Sequence, residues 1–308
     1  MEVAHNFWVL RRLAGCLAVA SVALLAGCGV LPSGPAAPVT PAVVQPKPAP
    51  KPPRIGVALG GGAARGFAHI GVLQVLEEQG IRPDVVVGTS AGSVVGALYA
   101  AGKTPTELAT MAMSLDESSI TDWVFPGRSL LKGEALARFV RTHTGGKNIE
   151  AMRVPLGIVA TDLQSGQPIL FRRGDVGTAV RASSSVPAVF EPVRISGREY
   201  IDGGAVSPVP VRFARQMGAD VVIAVDISAI PEGMPVKGPV DILLQTYNIM
   251  GHAISQFELQ DADVVMRPKL EGIGSTEFSA RRLSILAGRE AALMVLPQLK
   301  ERIAARTR

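Results

Sequence analysis

The chain has 308 residues and a formal charge of +5; with 47% hydrophobic and 19% charged residues it is a well-packed globule, and a disordered chain is excluded. Lysines and arginines form no nucleic-acid footprint and aromatics are only 5%, so nucleic acid is excluded as a partner, while the small positive surplus fits a weak preference for anionic surfaces. Both cysteines, Cys16 and Cys28, lie in the first thirty residues, and His5, His69, His143 and His252 show no ligand spacing, so no disulfide, cysteine nucleophile or metal site is expected in the globular part.

Residues 1–27 read as a secretory signal, with Arg11 and Arg12 followed by an apolar stretch, Leu13 to Ala26, too short to span a bilayer. It ends in Leu25-Ala26-Gly27-Cys28, which resembles the lipobox of bacterial lipoproteins. That resemblance implies cleavage before Cys28, acylation of Cys28, and attachment to the membrane of a bacterial cell envelope. Gly29 follows, not the aspartate that retains such proteins at the inner membrane, which implies the periplasmic face of the outer membrane in a Gram-negative cell. Leu13-Ala14-Gly15-Cys16 repeats the four letters without an apolar region before it. A plain signal peptide or an uncleaved anchor helix is the other reading. Residues 28–53 form the tether: nine prolines between 29 and 53 cannot bury a core and favour an extended polyproline conformation. The folded domain is expected over 54–308, as one domain without internal repeats.

Arg54 to Leu59 reads as a buried strand, the helix from Phe67 to Glu78 ends at Gly80, and Gly60-Gly61-Gly62-Ala63-Ala64-Arg65-Gly66 lies between them. The loop is not a dinucleotide fingerprint, because Arg65 stands where the third glycine belongs. Gly102-Lys103-Thr104 mimics the tail of a phosphate-binding loop, but it follows a helix and has Ala97 at the required glycine. No nucleotide is expected. The loop suits an oxyanion hole built from the amides of Gly60, Gly61, Gly62 and Ala63. Arg65 would brace that loop or meet a phosphate; a surface arginine is the plainer reading.

From Asp84 to Leu98 a short apolar run leads into Gly88-Thr89-Ser90-Ala91-Gly92 and then into small residues at helical spacing. Strand, tight turn and helix give the G-x-S-x-G pattern the context of a nucleophile elbow, with Gly88 and Gly92 free of side chains that would collide. An ordinary turn with Ser90 as a helix cap is the alternative. A helix is predicted from Thr104 to Met113, with Pro105 in its first turn. Residues 115–131 carry Trp123, Val124, Phe125, Leu130 and Leu131: exposed, they would be a lipid-touching flap; buried, a loop pinned to the core. Further strands are expected at Val154 to Ala160, paired with or near Gln167 to Phe171, and at Val221 to Ile227 and Val264 to Arg267. A helix capped by Asp175 runs to Arg181, and Val193 to Ile195 forms a hairpin with Glu199 to Ile201. The hairpin leads into Asp202-Gly203-Gly204, an acid presented on a sharp turn, though Asp-Gly is also an everyday turn signal. Helices at 239–258 and 281–306, the latter long and basic, complete an α/β chain expected to form three α/β/α layers around a mostly parallel sheet.

Taken in order, the glycine-rich loop, the Gly-Thr-Ser-Ala-Gly elbow and Asp-Gly-Gly resemble the patatin-like phospholipase family, in its bacterial branch related to neuropathy target esterase. The resemblance runs from about Ile55 to Asp226 and takes in Arg65-Gly66-x-x-His69-x-Gly71-Val72-Leu73, Ala160-Thr161-Asp162-Leu163 and Arg181-Ala182-Ser183. It implies a serine acyl hydrolase without cofactors, acting on ester bonds of phospholipids or lysophospholipids through an acyl-enzyme. On matching positions Ser90 is the nucleophile, Asp202 its base, and Gly61, Gly62 and neighbouring amides the oxyanion hole. The residues fit a dyad independently: after the elbow only His143 and His252 could complete a triad. An aspartate of ordinary pKa, about 3.9, is a feeble base, so Asp202 must be desolvated and bonded to Ser90. His69 reads as a packed or capping group. Two departures stand out. Ala63 replaces the third glycine and would be strained at positive φ; Ser207 stands where asparagine often follows the Asp-Gly-Gly turn. A non-catalytic lipoprotein that binds acyl chains or a protein partner is the rival reading, although both dyad members are present.

Overall fold

The computed structural model describes residues 51–123, 129–231, 236–274 and 276–307, together with Gly34. The predicted signal, Cys28, most of the tether, and Val124 and Phe125 of the anticipated flap lie outside the described residues. The chain divides between Pro48 and Ala49, and the second unit carries everything that follows.

The strands are β1 (Ile55–Leu59), β2 (Val85–Thr89), β3 (Leu156–Asp162), β4 (Pro168–Phe171), β5 (Val193–Ile195), β6 (Arg198–Asp202), β7 (Val221–Val225) and β8 (Val264–Met266). The helices are α1 (Ala68–Glu78), α2 (Ala91–Ala100), α3 (Pro105–Ser114), α4 (Glu134–His143), α5 (Val176–Ser183), α6 (Val211–Gln216), α7 (Pro239–Glu258) and α8 (Arg281–Arg306), with short 3-10 turns between some of them. All strands join one sheet in the order β5-β6-β3-β2-β1-β7-β8, with β4 beside β3. From β3 to β8 the neighbours run parallel; β4, β5 and β6 pair antiparallel at one side. Every residue of β1, β2, β3 and β7 is buried, as expected for apolar runs covered on both faces. Val57, Leu59, Ile223 and Val225 face the layer of α1, α2 and α8. Ala58, Val87, Val222 and Ala224 face α6 and Leu259. The three-layer α/β/α reading therefore holds.

Close approach of α1 and α8 closes the first layer. A Cβ on Gly71 would lie 1.9 Å from the Ile285 carbonyl oxygen, and one on Gly288 1.9 Å from that of Ala68. Only a pair of glycines lets the two backbones meet there.

Two helices, α4 and α6, were not anticipated; each is short, and their sequences are bounded by no strong cap. The first turn of α4 borrows its cap from afar: the Asp122 carboxylate accepts the N–H groups of Gly133 (2.6 Å) and Ala135 (2.8 Å). Leu131 is buried and donates its N–H to the Val189 carbonyl, while Trp123 is 77% exposed. The described part of the anticipated flap is thus pinned at both ends and exposes one large aromatic.

The long helix α7 is unusual. Val240, Ile242, Leu243, Ile249, Met250 and Phe257 are exposed, and no Asp, Glu, Lys or Arg occurs from 242 to 257. Its Tyr247 reaches the turn that follows β6. No helix among the described residues is long and apolar enough to cross a membrane.

Candidate active site

Ser90 joins β2 to α2 at φ 52° and ψ −123°, a backbone region costly to any residue with a Cβ. The packing around it leaves no room for the chain to relax: a Cβ on Gly92 would stand 2.1 Å from the Leu59 carbonyl oxygen, and one on Gly88 2.4 Å from that of Gly92. Ser90 occupies the N-cap position, but its side chain makes no capping hydrogen bond. The hydroxyl is therefore not spent on the helix. The Ser90 N–H donates to Ser183 Oγ (2.9 Å), whose hydroxyl donates to the Val159 carbonyl (2.5 Å).

Strand order explains how Asp202 reaches the elbow. Thr89 pairs with Val159 across β2 and β3, and Ala160 pairs with Asp202 across β3 and β6, so one strand separates the two chain ends. Thr161 Oγ1 donates to the Asp202 carbonyl (2.8 Å), and Thr89 Oγ1 donates to the Ser207 carbonyl (2.8 Å). Asp202 is 2% exposed. Its Oδ1 accepts from the Gly204 N–H (2.6 Å) and the Tyr247 hydroxyl (3.2 Å). Its Oδ2 is buried and takes part in no hydrogen bond of full geometry. Burial pushes the carboxyl up to about 6, against the opposing pull of the Ser90 hydroxyl first, then of Gly204 and Tyr247. The acid is desolvated, and Ser90 lies beside it without completing an ideal bond.

The glycine-rich loop passes directly over the elbow: a Cβ on Gly61 would be 3.2 Å from that of Ser90. Its amides divide in two. The N–H of Gly60 is taken by the Val225 carbonyl (3.0 Å) and that of Gly61 by the Pro208 carbonyl (2.9 Å). Among the described residues no carbonyl accepts from Gly62 or Ala63. Of the four amides expected from sequence to form an oxyanion hole, strand β7 and the 207–209 segment thus occupy the first two. Ala63 sits at φ 51°, a backbone region that strains a residue with a Cβ.

Three side chains hold this loop from behind. His69 is fully buried, its Nε2 2.8 Å from the Gly60 carbonyl; burial pulls its pKa down to about 4, so the ring is neutral and donates from Nε2. Arg65 is buried, and its Nε donates to the Ile227 carbonyl (3.0 Å). Desolvation lowers its pKa while the charge of Asp226 opposes this. Its geometry is that of a brace, with little surface left for a phosphate. Glu258 accepts the Ser207 hydroxyl through Oε1 and the Val209 N–H through Oε2 (3.1 Å), which steadies the segment whose Pro208 carbonyl holds Gly61. Burial raises Glu258 to about 7.

Sequence reasoning missed Tyr247 and Glu258. They stand eleven residues apart, three helical turns on one face of α7, but nothing in that spacing says which loop the face covers. His143 packs at a tilt against Phe139, 4.5 Å between ring centres. Among the described residues no hydrogen bond joins His143 or His252 to Ser90 or Asp202, and no three His, Cys, Asp or Glu side chains come together as a metal site.

Comparison with known proteins places this geometry. The patatin-like phospholipase family model matches residues 57–215, just over half the chain. An NTE family protein of Mycobacterium tuberculosis (strain ATCC 25618 / H37Rv) is 39% identical over 184 residues, 59% of this chain and 51% of that protein. The lysophospholipase nte1 of Aspergillus fumigatus is 33% identical over 187 residues, 59% of this chain and 12% of its own. The chain thus spans about half the length, or less, of the curated relatives it matches. Among solved structures, VipD from Legionella pneumophila superposes with a TM-score of 0.60 at 13% identity, covering 82% of this chain and 68% of its own, which bears on fold alone. Matched from β1 to α6 through the elbow and the aspartate turn, the chain belongs to the patatin-like phospholipase family.

Proposed function

We propose that the protein is a serine acyl hydrolase that cleaves carboxylic ester bonds of phospholipids or lysophospholipids, with Ser90 as nucleophile and Asp202 as base. The observation that carries the reading is the Asp202 carboxyl: buried, raised to about 6, and leaving one oxygen without a hydrogen bond beside the serine. A base with that pKa is ionised at neutral pH yet far more basic than an exposed aspartate.

As Ser90 Oγ attacks the ester carbonyl, its proton passes to Asp202. The negative oxygen of the intermediate meets the N–H groups of Gly62 and Ala63 and that of Ala91 at the start of α2. The carbon–oxygen bond breaks, the alcohol leaves with the proton from Asp202, and an acyl-Ser90 remains. Water, deprotonated by Asp202, then attacks the acyl carbon; the bond to Ser90 Oγ breaks, Oγ takes the proton back from Asp202, and the fatty acid leaves. A lipid substrate is supported by the lysophospholipase name of one relative and by the uncharged, exposed apolar face of α7 beside the site. In the same reading, acylated Cys28 and the proline-rich tether hold the enzyme at the membrane on which it works.

Labelling with a fluorophosphonate probe tests the chemistry. Wild type should label and release fatty acid from lysophosphatidylcholine, and Ser90→Ala should do neither. An unlabelled wild type, or undiminished labelling of Ser90→Ala, would favour the non-catalytic binding protein. Cys28→Ala should free the protein from membranes; continued attachment would remove the anchor.

A further inference from the structure

A carboxylate offers two oxygens to a serine, and rotation about the terminal side-chain bond exchanges them at little cost unless something pins one. At Asp202 the two are unequal. Oδ1 accepts from the Gly204 N–H and the Tyr247 hydroxyl, while Oδ2 is buried with no bond of full geometry. Gly204 belongs to the same turn and moves with the acid. Tyr247 comes from α7, 45 residues away, and fixes the carboxylate from outside its own turn through Oδ1.

We infer that Tyr247 is a positioning residue that holds Asp202 so that Oδ2, and not Oδ1, takes the Ser90 proton. The inference rests on Ser90 and Asp202 acting as proposed above. In the step concerned the Ser90 O–H bond breaks, its electron pair forms the bond to the ester carbon, and the proton moves to Oδ2. Oδ1 keeps both donors throughout, so the carboxyl need not turn between its charged and neutral forms. A donor on the charged form also favours that form, so Tyr247 keeps the base ionised to lower pH.

The surroundings make the effect readable. Among the described residues the groups that act on Asp202 are the Ser90 hydroxyl, the Gly204 N–H and the Tyr247 hydroxyl, none of them charged. On α7, Glu258 is bonded to Ser207 and Val209, and His69 lies under Gly60. Both are present in the variants as in the wild type.

The test is the pH dependence of kcat/KM between about pH 4.5 and 8 for wild type, Tyr247→Phe and Gly204→Ala, with the rate of fluorophosphonate labelling followed in parallel. Tyr247→Phe keeps the ring and removes the donor. Gly204→Ala keeps both side chains but inserts a Cβ 2.9 Å from both Asp202 Oδ1 and the Tyr247 hydroxyl oxygen, so it must drive them apart. In both variants the acid limb should move up by about half a pH unit, lowering kcat/KM about threefold below the limb. A limb that stays in place in both variants overturns the assignment, even if the plateau falls, because lost packing alone lowers a plateau without moving a limb. A wild type that neither turns over nor labels removes the hydrolase reading itself, a distinct result.

Discussion

Replacing Asp202 by asparagine should abolish ester hydrolysis and, at neutral pH, make the fold more stable. The carboxyl is 2% exposed, and burial lifts its pKa from 3.8 to about 6. A folded-state pKa above the unfolded one means that the native protein holds this proton more tightly. The native state is therefore unburdened below about pH 4, loses stability as pH rises through the window from about 4 to 6, and carries the full deficit above it. Two pKa units at about 1.36 kcal/mol each set the deficit at about 3 kcal/mol. Asparagine carries no charge to desolvate and can keep its oxygen on Gly204 and Tyr247. Denaturant unfolding of both proteins at intervals from about pH 4 to 8 gives the difference directly; His69 and Glu258 titrate nearby but are present in both. The variants should be nearly equal at the acid end, with asparagine ahead by about 3 kcal/mol at neutrality. A difference that stays flat across the range would refute the claim that desolvation tunes this acid.

Two further outcomes test the scaffold. Gly71→Ala and Gly288→Ala should each destabilise by about 1–3 kcal/mol or more, seen as a fall in Tm, because each Cβ would meet a carbonyl oxygen at 1.9 Å. Both act on one helix crossing, so the double variant should fall short of their sum; independent addition would deny the shared contact. Ser183→Ala leaves the buried Ser90 N–H without its acceptor, which should cost about 1–3 kcal/mol and lower kcat; unchanged stability and turnover would mean that the elbow does not depend on this bond.

Local signals were legible where one segment contains its own reason. The apolar runs of β1, β2 and β7, the Thr104-Pro105 start of α3 and the Ser196-Gly197 turn between β5 and β6 need no distant partner to be recognised. The elbow was legible for the same reason: its glycines are demanded by contacts within a few residues and with β1. What stayed hidden depends on where a distant element folds back. The capping of α4 by Asp122, the capture of the Gly60 and Gly61 amides by Val225 and Pro208, and the bonds of Tyr247 and Glu258 each join segments from eleven to more than a hundred residues apart. Hence the loop could be read as a source of amides, but which amides stay free could not.

Two of the four non-glycine residues at positive φ among the described residues, Ser90 (52°) and Ala63 (51°), lie at the site, together with the buried Asp202 Oδ2. The two backbone outliers are costs of roughly 1–3 kcal/mol each, and they persist only because the surroundings over-determine them. For Ser90 the enforcement is rigid. Relaxing its φ would drive Gly92 away from the Leu59 carbonyl and unseat α2 from a sheet whose central strands are wholly buried. Asp202 is fixed along its backbone by Ala160 and Thr161 of β3, yet the orientation of its carboxylate is completed by Tyr247 on a helix with a single fully buried residue, Ser255. The placement of Ser90 therefore depends on the core, and the orientation of the Asp202 carboxylate in part on a helix at the surface.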